Sequence, residues 1–388
     1  MMFENYLKEL IIHTGPVSVA DFMNEVLFNP KYGYYQKKPA IGKDADFITS
    51  PEISQVFGEI ITSYLLNFFI AKNPVLNFDI KININLVEMG AGRGTLMKDI
   101  LISLKKLADI GIVSAKYFLQ FCSFNIIEIS PLLTKKQQEN LQEIILKTAV
   151  KINWYKDFKE FQALNSNCEI YFIANELFDC FAVNQFIMAG EGPGKQKLWH
   201  EIKVGLEQLG QEKNFKFLRD NFNPVIHELV KKLAAAEVLE DNLEFTEGAV
   251  FEHSFAAVNF TQELAEYIRS NSGLALIFDY GYIKNRLVNS LQAIKNHQPK
   301  GIFEELGDCD ITALVNFSAL ERTAKNCGLN SSVVTQREFL VCLGIEERRQ
   351  VLLIGKNDSE RSEINSAINR LIDQSQMGEL FKCMILWS

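Results

Sequence analysis

Residues 86–95, LVEMGAGRGT, join an apolar strand to a helix through a glycine-rich turn. The glycines Gly90, Gly92 and Gly94 let the backbone turn tightly and let a ligand approach main-chain N–H groups at the helix N-terminus. Their spacing is G-x-G-x-G, whereas a dinucleotide fingerprint reads G-x-G-x-x-G, and Glu88 stands two positions before the first glycine. A carboxylate there repels a pyrophosphate but accepts hydrogen bonds from an ammonium group. The electrostatics therefore favour S-adenosylmethionine, which carries an ammonium and no phosphate, over NAD.

Short apolar strands alternate with helices from about residue 82 onwards, and this alternation is typical of a parallel sheet with right-handed crossovers. The helix after the glycine-rich turn is predicted over 95–107, where the apolar residues fall on one face. Five core strands are predicted at 84–87, 121–127, 151–154, 169–174 and 273–278, and two further short strands near 331–335 and 381–386. The pattern therefore predicts an α/β fold with a mostly parallel, Rossmann-like sheet.

The first 82 residues are predicted to form an N-terminal helical and lid segment. Its clearest helix starts with Ser50 as the N-cap, Pro51 at the first helical position and Glu52 in the first turn, where a carboxylate stabilises the positive helix end. The aromatic loop 32–47, which contains Tyr34, is rich in turn residues and has no helical period. We expect this loop and the start of the helix to form a lid across the site.

Residues 183–272 are predicted as an insertion after the fourth strand, so that residues 83–182 and 273–388 make up the core. The insertion begins with two alternating runs around a Gly/Pro/Gly turn, a pattern typical of a β-hairpin. The other predicted elements in and after the insertion are helices at 223–236, 261–270 and 311–327 and a polar loop over 285–308. We expect the insertion to recognise the acceptor.

Acidic residues follow the second and third predicted strands. Glu128 ends the second strand, where a carboxylate accepts two hydrogen bonds from ribose hydroxyls in NAD and S-adenosylmethionine sites alike. The alternative is a solvated carboxylate at a strand end. After the third strand, Asp157 offers an acceptor for the adenine amino group, and its aromatic neighbours offer a cover for the ring.

The segment Ala174-Asn-Glu-Leu-Phe-Asp179 follows the fourth predicted strand. Ligands of open α/β sheets bind beyond the carboxyl ends of the strands, so Asn175 and Glu176 are expected to face the transferred group, with Asp179 beside them. The alternative is a helix start in which Asn175 is the N-cap and Asp179 lies in the first turn. The fifth strand ends in a similar way and brings Tyr280 to the same edge.

Composition excludes several classes of protein. The chain has 388 residues and a net charge of −8, which disfavours a nucleic-acid partner. The longest nearly apolar run, residues 64–71, is too short to span a membrane, because a spanning helix needs roughly 18 residues or more. The first residues lack the features of a secretory or organellar address, so a cytoplasmic protein is expected. Seven cysteines without a CxxC pair or zinc-ligand spacing predict neither disulfides nor a metal site.

Long motifs spread over essentially the whole chain resemble the MidA-like S-adenosylmethionine-dependent methyltransferases, a family that includes the mitochondrial complex I assembly-factor arginine methyltransferase. These motifs are PKYGYY (30–35), DFITSPEISQVFGE (46–59), VEMGAGRGTLMKDIL (87–101), IEISPLL (127–133), ANELFDC (174–180), FDYGY (278–282), GDCDIT (307–312), TQREFL (335–340) and MGELFK (377–382). The family's loop usually reads ELGPGRG, and the change to EMGAGRG keeps all three glycines. A histidine commonly follows the DIT motif of the family, whereas this chain has Leu314, so no catalytic role is carried over there.

The resemblance implies a class I methyltransferase core that transfers a methyl group from S-adenosyl-L-methionine without a metal. It implies a protein acceptor, by resemblance a respiratory-complex subunit, and arginine as the residue modified by the mitochondrial relative; the oligomeric state stays open. An arginine guanidinium is always protonated, so carboxylates have to hold it. Glu176 is the first candidate for this clamp, with Asp179 or Glu201 as helpers. His297 is a candidate proton acceptor, and an exposed loop histidine without a role is the alternative.

Two other functions are consistent with the same fold. An NAD-linked oxidoreductase is disfavoured by the glycine spacing and by Glu88. A non-catalytic assembly or scaffolding protein is disfavoured by the intact glycine-rich turn. Competition between nucleotides for binding distinguishes the first alternative, and a methyl-transfer assay distinguishes the second.

Overall fold

A computed structural model describes residues 2–37, 48–76, 82–191, 196–237, 246–284, 287 and 289–388. Its strands, in chain order, are β1 (Val17–Ser18), β2 (Ile84–Met89), β3 (Cys122–Ile127), β4 (Ile152–Tyr155), β5 (Glu169–Asn175), β6 (Asn184–Glu191), β7 (Gln196–Leu209), β8 (Glu212–Arg219), β9 (Val250–His253), β10 (Gly273–Tyr282), β11 (Gln292–Lys295), β12 (Gln298–Lys300), β13 (Asp310–Thr312), β14 (Val315–Asn316), β15 (Asn330–Thr335) and β16 (Phe381–Trp387).

The helices of the described residues are α1 (Met2–Thr14), α2 (Val19–Phe28), α3 (Tyr34–Lys37), α4 (Ser50–Ile53), α5 (Gln55–Lys72), α6 (Thr95–Asp109), α7 (Val113–Phe121), α8 (Pro131–Thr148), α9 (Phe158–Leu164), α10 (Pro224–Glu237), α11 (Phe255–Asn271), α12 (Phe317–Asn326), α13 (Gln336–Cys342), α14 (Ile345–Leu353), α15 (Asp358–Ile372) and α16 (Met377–Leu380). A short 3-10 turn covers Phe178–Cys180. None of these helices combines the length and the apolar character that a membrane crossing requires.

The chain divides into two compact units. The core unit consists of Pro39–Phe178, Gln262–Gly281 and Thr323–Ser388, and the second unit of Met1–Lys38, Asp179–Thr261 and Tyr282–Arg322. The middle segment of the second unit starts close to the predicted start of the insertion at residue 183. The unit also contains the first residues of the chain and a segment after the fifth core strand. The lid and acceptor-recognition roles expected of the N-terminal segment and the insertion stay predictions.

A mostly parallel sheet forms the centre of the core unit, in the strand order β15-β16-β10-β5-β2-β3-β4. The five predicted core strands pair in parallel, whereas β15 and β16 pair antiparallel at one end. Met89 at the end of β2 pairs with Ala174 on β5 and with Ile127 on β3. This register brings Gly90, Asn175 and Glu128, the next residue of each segment, to the same edge. The predicted α/β fold class is confirmed.

Helix α5 packs its apolar stripe against this sheet. Phe57, Ile61, Leu65 and Phe69 are buried in the main core cluster, and the Phe57 ring lies 5.1 Å from that of Phe278. Burial of each such side chain contributes about 1.5–3 kcal/mol. The packing of α5 therefore fixes the position of α4, the short helix that precedes it in the chain.

The helix predicted to start at residue 50 is divided, and its cap is a different residue. Thr49 is the N-cap of α4, and Ser54 takes an extended conformation (φ −158°, ψ 132°) and caps α5 by accepting a hydrogen bond from the Val56 N–H at 3.3 Å. The prediction of Ser50 as N-cap is therefore wrong. Ser50 is the first residue of α4, and its backbone N–H has another partner, described below.

An antiparallel sheet in the order β1-β7-β6-β9 forms the second unit, with β8 paired to β7. The predicted hairpin is β6 and β7, which pair from Gln185 with Ile202 to Glu191 with Gln196. Helix α10 covers this sheet and begins one residue after its predicted start, whereas α11 begins six residues before its predicted start. The hairpin prediction is confirmed. The sequence shows it because polar and apolar residues alternate along both strands.

Two predictions between residues 285 and 327 are wrong. The polar loop contains the antiparallel pair β11 and β12, joined by Asn296 and His297, both with positive φ. The predicted helix 311–327 starts only at Phe317, because the preceding residues form β13 and pair with β11. Tertiary pairing here overrides the local apolar spacing that resembled a helix.

Candidate functional site

The glycine-rich loop between β2 and α6 has the conformation that the sequence predicts. Gly90, Gly92 and Gly94 have φ values of +71°, +53° and +78°, a region that other residues rarely occupy. The Gly90 N–H donates to the Ile127 carbonyl at 3.0 Å, and a Cβ atom at Gly90 would lie 2.8 Å from Leu177 Cδ1. The loop is therefore held against the ends of the neighbouring strands, and at Gly90 the contact with Leu177 leaves no room for a side chain.

Two buried acceptors beside this loop have no hydrogen-bond partner among the described residues. They are Glu88 Oε2 and Asn175 Oδ1, in side chains that are 3% and 9% exposed. Burial raises the pKa of Glu88 to about 8, which the backbone N–H of Met97 only partly offsets. An unpaired buried acceptor costs about 1–3 kcal/mol. Both side chains line one small cavity.

The cavity is lined by residues of α4, the glycine loop and the ends of β2 and β5, namely Thr49, Pro51, Glu52, Glu88, Gly90, Ala91, Gly92, Arg93, Thr95, Leu96 and Asn175. All of them belong to the core unit. The cavity is therefore a feature of a single compact unit, at the edge where ligands of α/β sheets bind.

Glu176 and Glu52 hold α4 next to the glycine loop. Glu176 Oε1 accepts hydrogen bonds from the Ser50 backbone N–H (2.9 Å) and from Asn175 Nδ2 (3.2 Å). Glu52 Oε1 accepts from the Thr95 hydroxyl (2.5 Å), so α4 is fastened at both ends. Glu176 itself has φ +51°, a strained value for a residue other than glycine. A residue keeps such a backbone conformation only where the surrounding structure holds it, and here the hydrogen bond with Ser50 is one of the contacts that do so.

The end of β5 does not form a helix cap. Asn175 is the last residue of β5 and the 3-10 turn begins three residues later, so the alternative with Asn175 as N-cap is wrong. The buried Asp279 carboxylate holds this turn by accepting hydrogen bonds from the backbone N–H groups of Phe178 and Tyr280, both at 2.8 Å. Sequence reasoning noted the polar residues after the fifth strand but did not assign Asp279 a role.

Glu128 and Asp157, predicted to bind the ribose and the adenine, have different surroundings. Glu128 is half-buried directly after β3, where it accepts hydrogen bonds from the Ser130 N–H and from Gln137 Nε2, both at 2.9 Å, and burial raises its pKa. Asp157 is exposed and caps α9 by accepting from the Glu160 N–H at 2.8 Å. The cap accounts for an acidic residue at position 157, and its adenine role stays a prediction.

The remaining predicted site residues belong to the second unit, apart from Tyr280, whose ring packs on Phe381 in the core unit. Tyr34 is buried against Tyr35, and the backbone oxygen of Asp179 accepts from the Ala313 N–H. Glu201 is half-buried on β7, and burial raises its pKa.

His297 is exposed in the turn between β11 and β12, where its positive φ fits a two-residue hairpin. Of the predicted lid loop 32–47, residues 38–47 lie outside the described residues. The roles predicted for all these residues stay predictions.

Comparison with known proteins identifies methyltransferases. Residues 61–335 match the family described as "Putative S-adenosyl-L-methionine-dependent methyltransferase". The mitochondrial protein arginine methyltransferase NDUFAF7 of Danio rerio is 31% identical over 97% of this chain and 85% of its own length. The protein of the same name from Homo sapiens is 28% identical over 98% of this chain and 82% of its own length.

A solved structure has the same fold over the whole chain. It is a COG1565 superfamily member from Burkholderia thailandensis bound to S-adenosyl-homocysteine, with a TM-score of 0.79, 23% sequence identity, and coverage of 100% of this chain and 92% of that one. The resemblance found in the sequence motifs is confirmed. The prediction of a cytoplasmic location is wrong, because the curated relatives from Danio rerio and Homo sapiens are named as mitochondrial proteins.

Proposed function

Because the chain belongs to the family of S-adenosyl-L-methionine-dependent methyltransferases, we propose that it methylates arginine side chains of a protein. The support for arginine is that relatives aligned over nearly the full chain are named protein arginine methyltransferases. Support from the chain itself is an acidic side chain, Glu176, at the edge of the sheet next to the cofactor loop.

The cofactor of the family, S-adenosyl-L-methionine, fits the atoms beside the glycine loop. Its ammonium group has three N–H donors, and the two unpartnered acceptors, Glu88 Oε2 and Asn175 Oδ1, are the observation that carries this assignment. We propose that Glu88 and Asn175 hold the ammonium and that Glu128 accepts hydrogen bonds from the ribose. When bound, the cofactor supplies an electrophilic methyl group on a sulfonium.

The acceptor has to be held in line with that methyl group, at about 3–3.5 Å. Arginine is permanently charged, and a carboxylate holds its planar guanidinium through paired hydrogen bonds. In this proposal Glu176 has two tasks. It holds α4 beside the glycine loop by accepting a hydrogen bond from the Ser50 N–H, and it presents negative charge to the incoming guanidinium.

The direct test is isotope transfer. The purified protein is incubated with S-adenosyl-L-methionine carrying a labelled methyl group and with extract of cells that lack its gene, and the products are analysed by mass spectrometry. We expect labelled methylarginine in a small number of peptides. Label on a different side chain or on a small molecule would refute arginine while leaving methyl transfer in place. Absence of any label would refute methyl transfer under these conditions.

Glu176→Gln tests the acceptor role. The substitution keeps an oxygen for the Ser50 N–H and removes the charge, so affinity for S-adenosylhomocysteine should change by less than about twofold. Turnover should fall about 100-fold, equivalent to about 2.7 kcal/mol, because the transition state loses a charged hydrogen-bond partner. Glu143→Gln, an exposed change on α8 beside Lys147, is the matched control and should leave both unchanged. Normal turnover in Glu176→Gln would exclude the proposed clamp.

A further inference from the structure

Gln137 lies in the middle of α8 and is completely buried, although its side chain is polar. Its Nε2 donates to the Gly92 carbonyl and to Glu128 Oε2, both at 2.9 Å, and its Oε1 accepts from Trp154 Nε1 at 3.1 Å. One amide thus joins the glycine loop, the carboxylate after β3 and the indole on β4. Burial of an amide is costly unless its hydrogen bonds are made, and three of its four bonds are accounted for here.

The orientation of this amide follows from its partners. The Trp154 indole can only donate, so the oxygen of Gln137 has to face it. The NH₂ group is then directed at the two acceptors, the Gly92 carbonyl and the Glu128 carboxylate. A reversed amide would place its oxygen against two acceptors and its NH₂ group against the indole N–H, which is also a donor. Trp154 therefore sets the direction in which Gln137 donates.

We propose that Gln137 is a positioning residue that sets the separation between the part of the site that holds the ammonium group of the cofactor and the part that holds its ribose. This inference rests on the cofactor placement proposed above. The Gly92 carbonyl belongs to the loop beside Glu88, and Glu128 is the proposed ribose acceptor. A single rigid amide bonded to both holds them at a fixed spacing.

The electrostatics of Glu128 support this role. Burial raises the pKa of Glu128, and the hydrogen bond from Gln137 opposes that rise. Without the donor, the carboxyl group would be protonated over a wider pH range and would present an O–H where the ribose hydroxyls need an acceptor. Together with the backbone N–H groups of Ser130 and Ile129, Gln137 therefore favours the charged form of Glu128 as well as holding its position.

The experiment measures calorimetric affinity for S-adenosylhomocysteine and for its 2′-deoxyribose analogue in full-length variants. The wild-type protein should prefer the ribose compound by about tenfold or more, because the analogue lacks a hydroxyl that donates to the charged Glu128 carboxylate. Gln137→Met has similar volume but no donors, so affinity for S-adenosylhomocysteine should fall about tenfold and the ribose preference should shrink to below about threefold.

Asn140→Leu is the matched control. Asn140 lies one turn further along α8 and donates to the Arg93 carbonyl at 2.9 Å, so this change loosens the glycine loop without touching Glu128. Its affinity for S-adenosylhomocysteine should fall because the glycine loop is loosened, but the ribose preference should stay at its wild-type value. Trp154→Phe, which only frees the amide to rotate, should reduce the ribose preference less than Gln137→Met does.

The outcomes separate cleanly. An unchanged ribose preference in Gln137→Met, with or without loss of affinity, would overturn the positioning role. Failure of the wild-type protein to bind S-adenosylhomocysteine would instead refute the cofactor placement itself. If Gln137→Met does not fold, Gln137→Leu replaces it, since it is also apolar and donates to neither partner. It should show the same loss of ribose preference, and retention would again overturn the role.

Discussion

Glu88 in the core unit and Glu252 in the second unit are both buried strand carboxylates, 3% and 5% exposed, and burial raises the pKa of each. Glu252 accepts hydrogen bonds from Gln185 Nε2 (2.8 Å), the Ser290 N–H (2.9 Å) and the Ser290 hydroxyl (2.5 Å). Glu88 instead leaves one oxygen without a partner among the described residues.

This difference distinguishes a structural carboxylate from one that we propose to bind a ligand. The donors around Glu252 come from two separate segments of the second unit, around Gln185 and Ser290, so this carboxylate joins those segments to β9. At Glu88 the missing donor costs free energy in the unliganded protein. A ligand that brings an N–H group would recover that free energy, and this supports the proposal that the cofactor binds in the cavity beside the glycine loop.

The largest expected effect is at the loop itself. Gly92→Val forces a β-branched residue into φ +53° and adds bulk where the ligand approaches, so affinity for S-adenosylhomocysteine should fall at least about 100-fold. Gly111→Val is the control, because Gly111 also has positive φ but has no atom within 4 Å of an added Cβ. The control should lose thermal stability and still bind. Calorimetry decides, and equal affinity in both variants would remove the loop from the site.

The second effect tests the two carboxylates against each other. Glu88→Gln should weaken S-adenosylhomocysteine binding about 10- to 100-fold, because a neutral amide replaces the charged partner of the ammonium. Glu252→Gln should leave affinity unchanged and lower the free energy of unfolding by about 1–3 kcal/mol, because its new NH₂ group faces donors. Denaturant titration and calorimetry on both variants measure this. If both variants lost ligand affinity, or both lost only stability, the proposed difference between Glu88 and Glu252 would be wrong.

A third, smaller effect is the pH dependence of binding. With a pKa of about 8, Glu88 is protonated at pH 6, and pairing it with an ammonium requires release of that proton. Affinity for S-adenosylhomocysteine should therefore rise with pH between 6 and 8, by up to about tenfold per unit, and level off above about pH 8, where Glu88 is already ionised before the ligand binds. In Glu88→Gln this rise should be absent. A wild-type profile that is flat over this range contradicts a protonated Glu88.

The same protonation affects the unliganded protein with the opposite sign. The folded pKa of Glu88 lies above its ordinary value of 4.5, so the folded state binds more protons and is stabilised at low pH. That contribution is lost as pH rises from about 4.5 to about 8. Asp99, whose pKa burial raises to about 7, acts in the same direction, so the informative quantity is the difference between wild type and Glu88→Gln. Thermal melts at several pH values measure it.

The smallest effect concerns Asp157, which has a cap in the structure and an adenine role only by prediction. Asp157→Ser keeps a good N-cap and removes the carboxylate, whereas Asp157→Ala removes both. Stability should fall by about 1 kcal/mol in the alanine variant alone. If Asp157 also binds adenine, both variants should bind S-adenosylhomocysteine about threefold more weakly, as expected for one exposed hydrogen bond. Wild-type affinity in both would leave only the cap.

The two units also differ in how well their elements can be read from the sequence. The five core strands start and end within four residues of prediction, because strands buried on both faces form unmistakable apolar runs between helices. In the second unit, β11, β12 and β13 were expected as loop or helix. They are short and depend on each other for pairing, so no local period marks them. The helices between residues 336 and 372 were not predicted although local signals mark two of them, since α13 and α15 each begin with a capping box, Thr335 with Glu338 and Asn357 with Glu360.

The sequence by itself determined the backbone of the site: a strand, three glycines and a helix at residues 86–95, with acidic residues at the ends of the neighbouring strands. Such features are local, because periodicity and the freedom of glycine at positive φ act within a few residues. Only the tertiary structure decided which polar atoms are paired. Gln137 meets Gly92 across 45 positions of the chain and Ser50 meets Glu176 across 126, whereas Glu88 Oε2 meets no donor among the described residues. Hydrogen bonding of a buried atom depends on groups that distant segments bring to it, so the pairing of these atoms is decided only when the whole chain has folded.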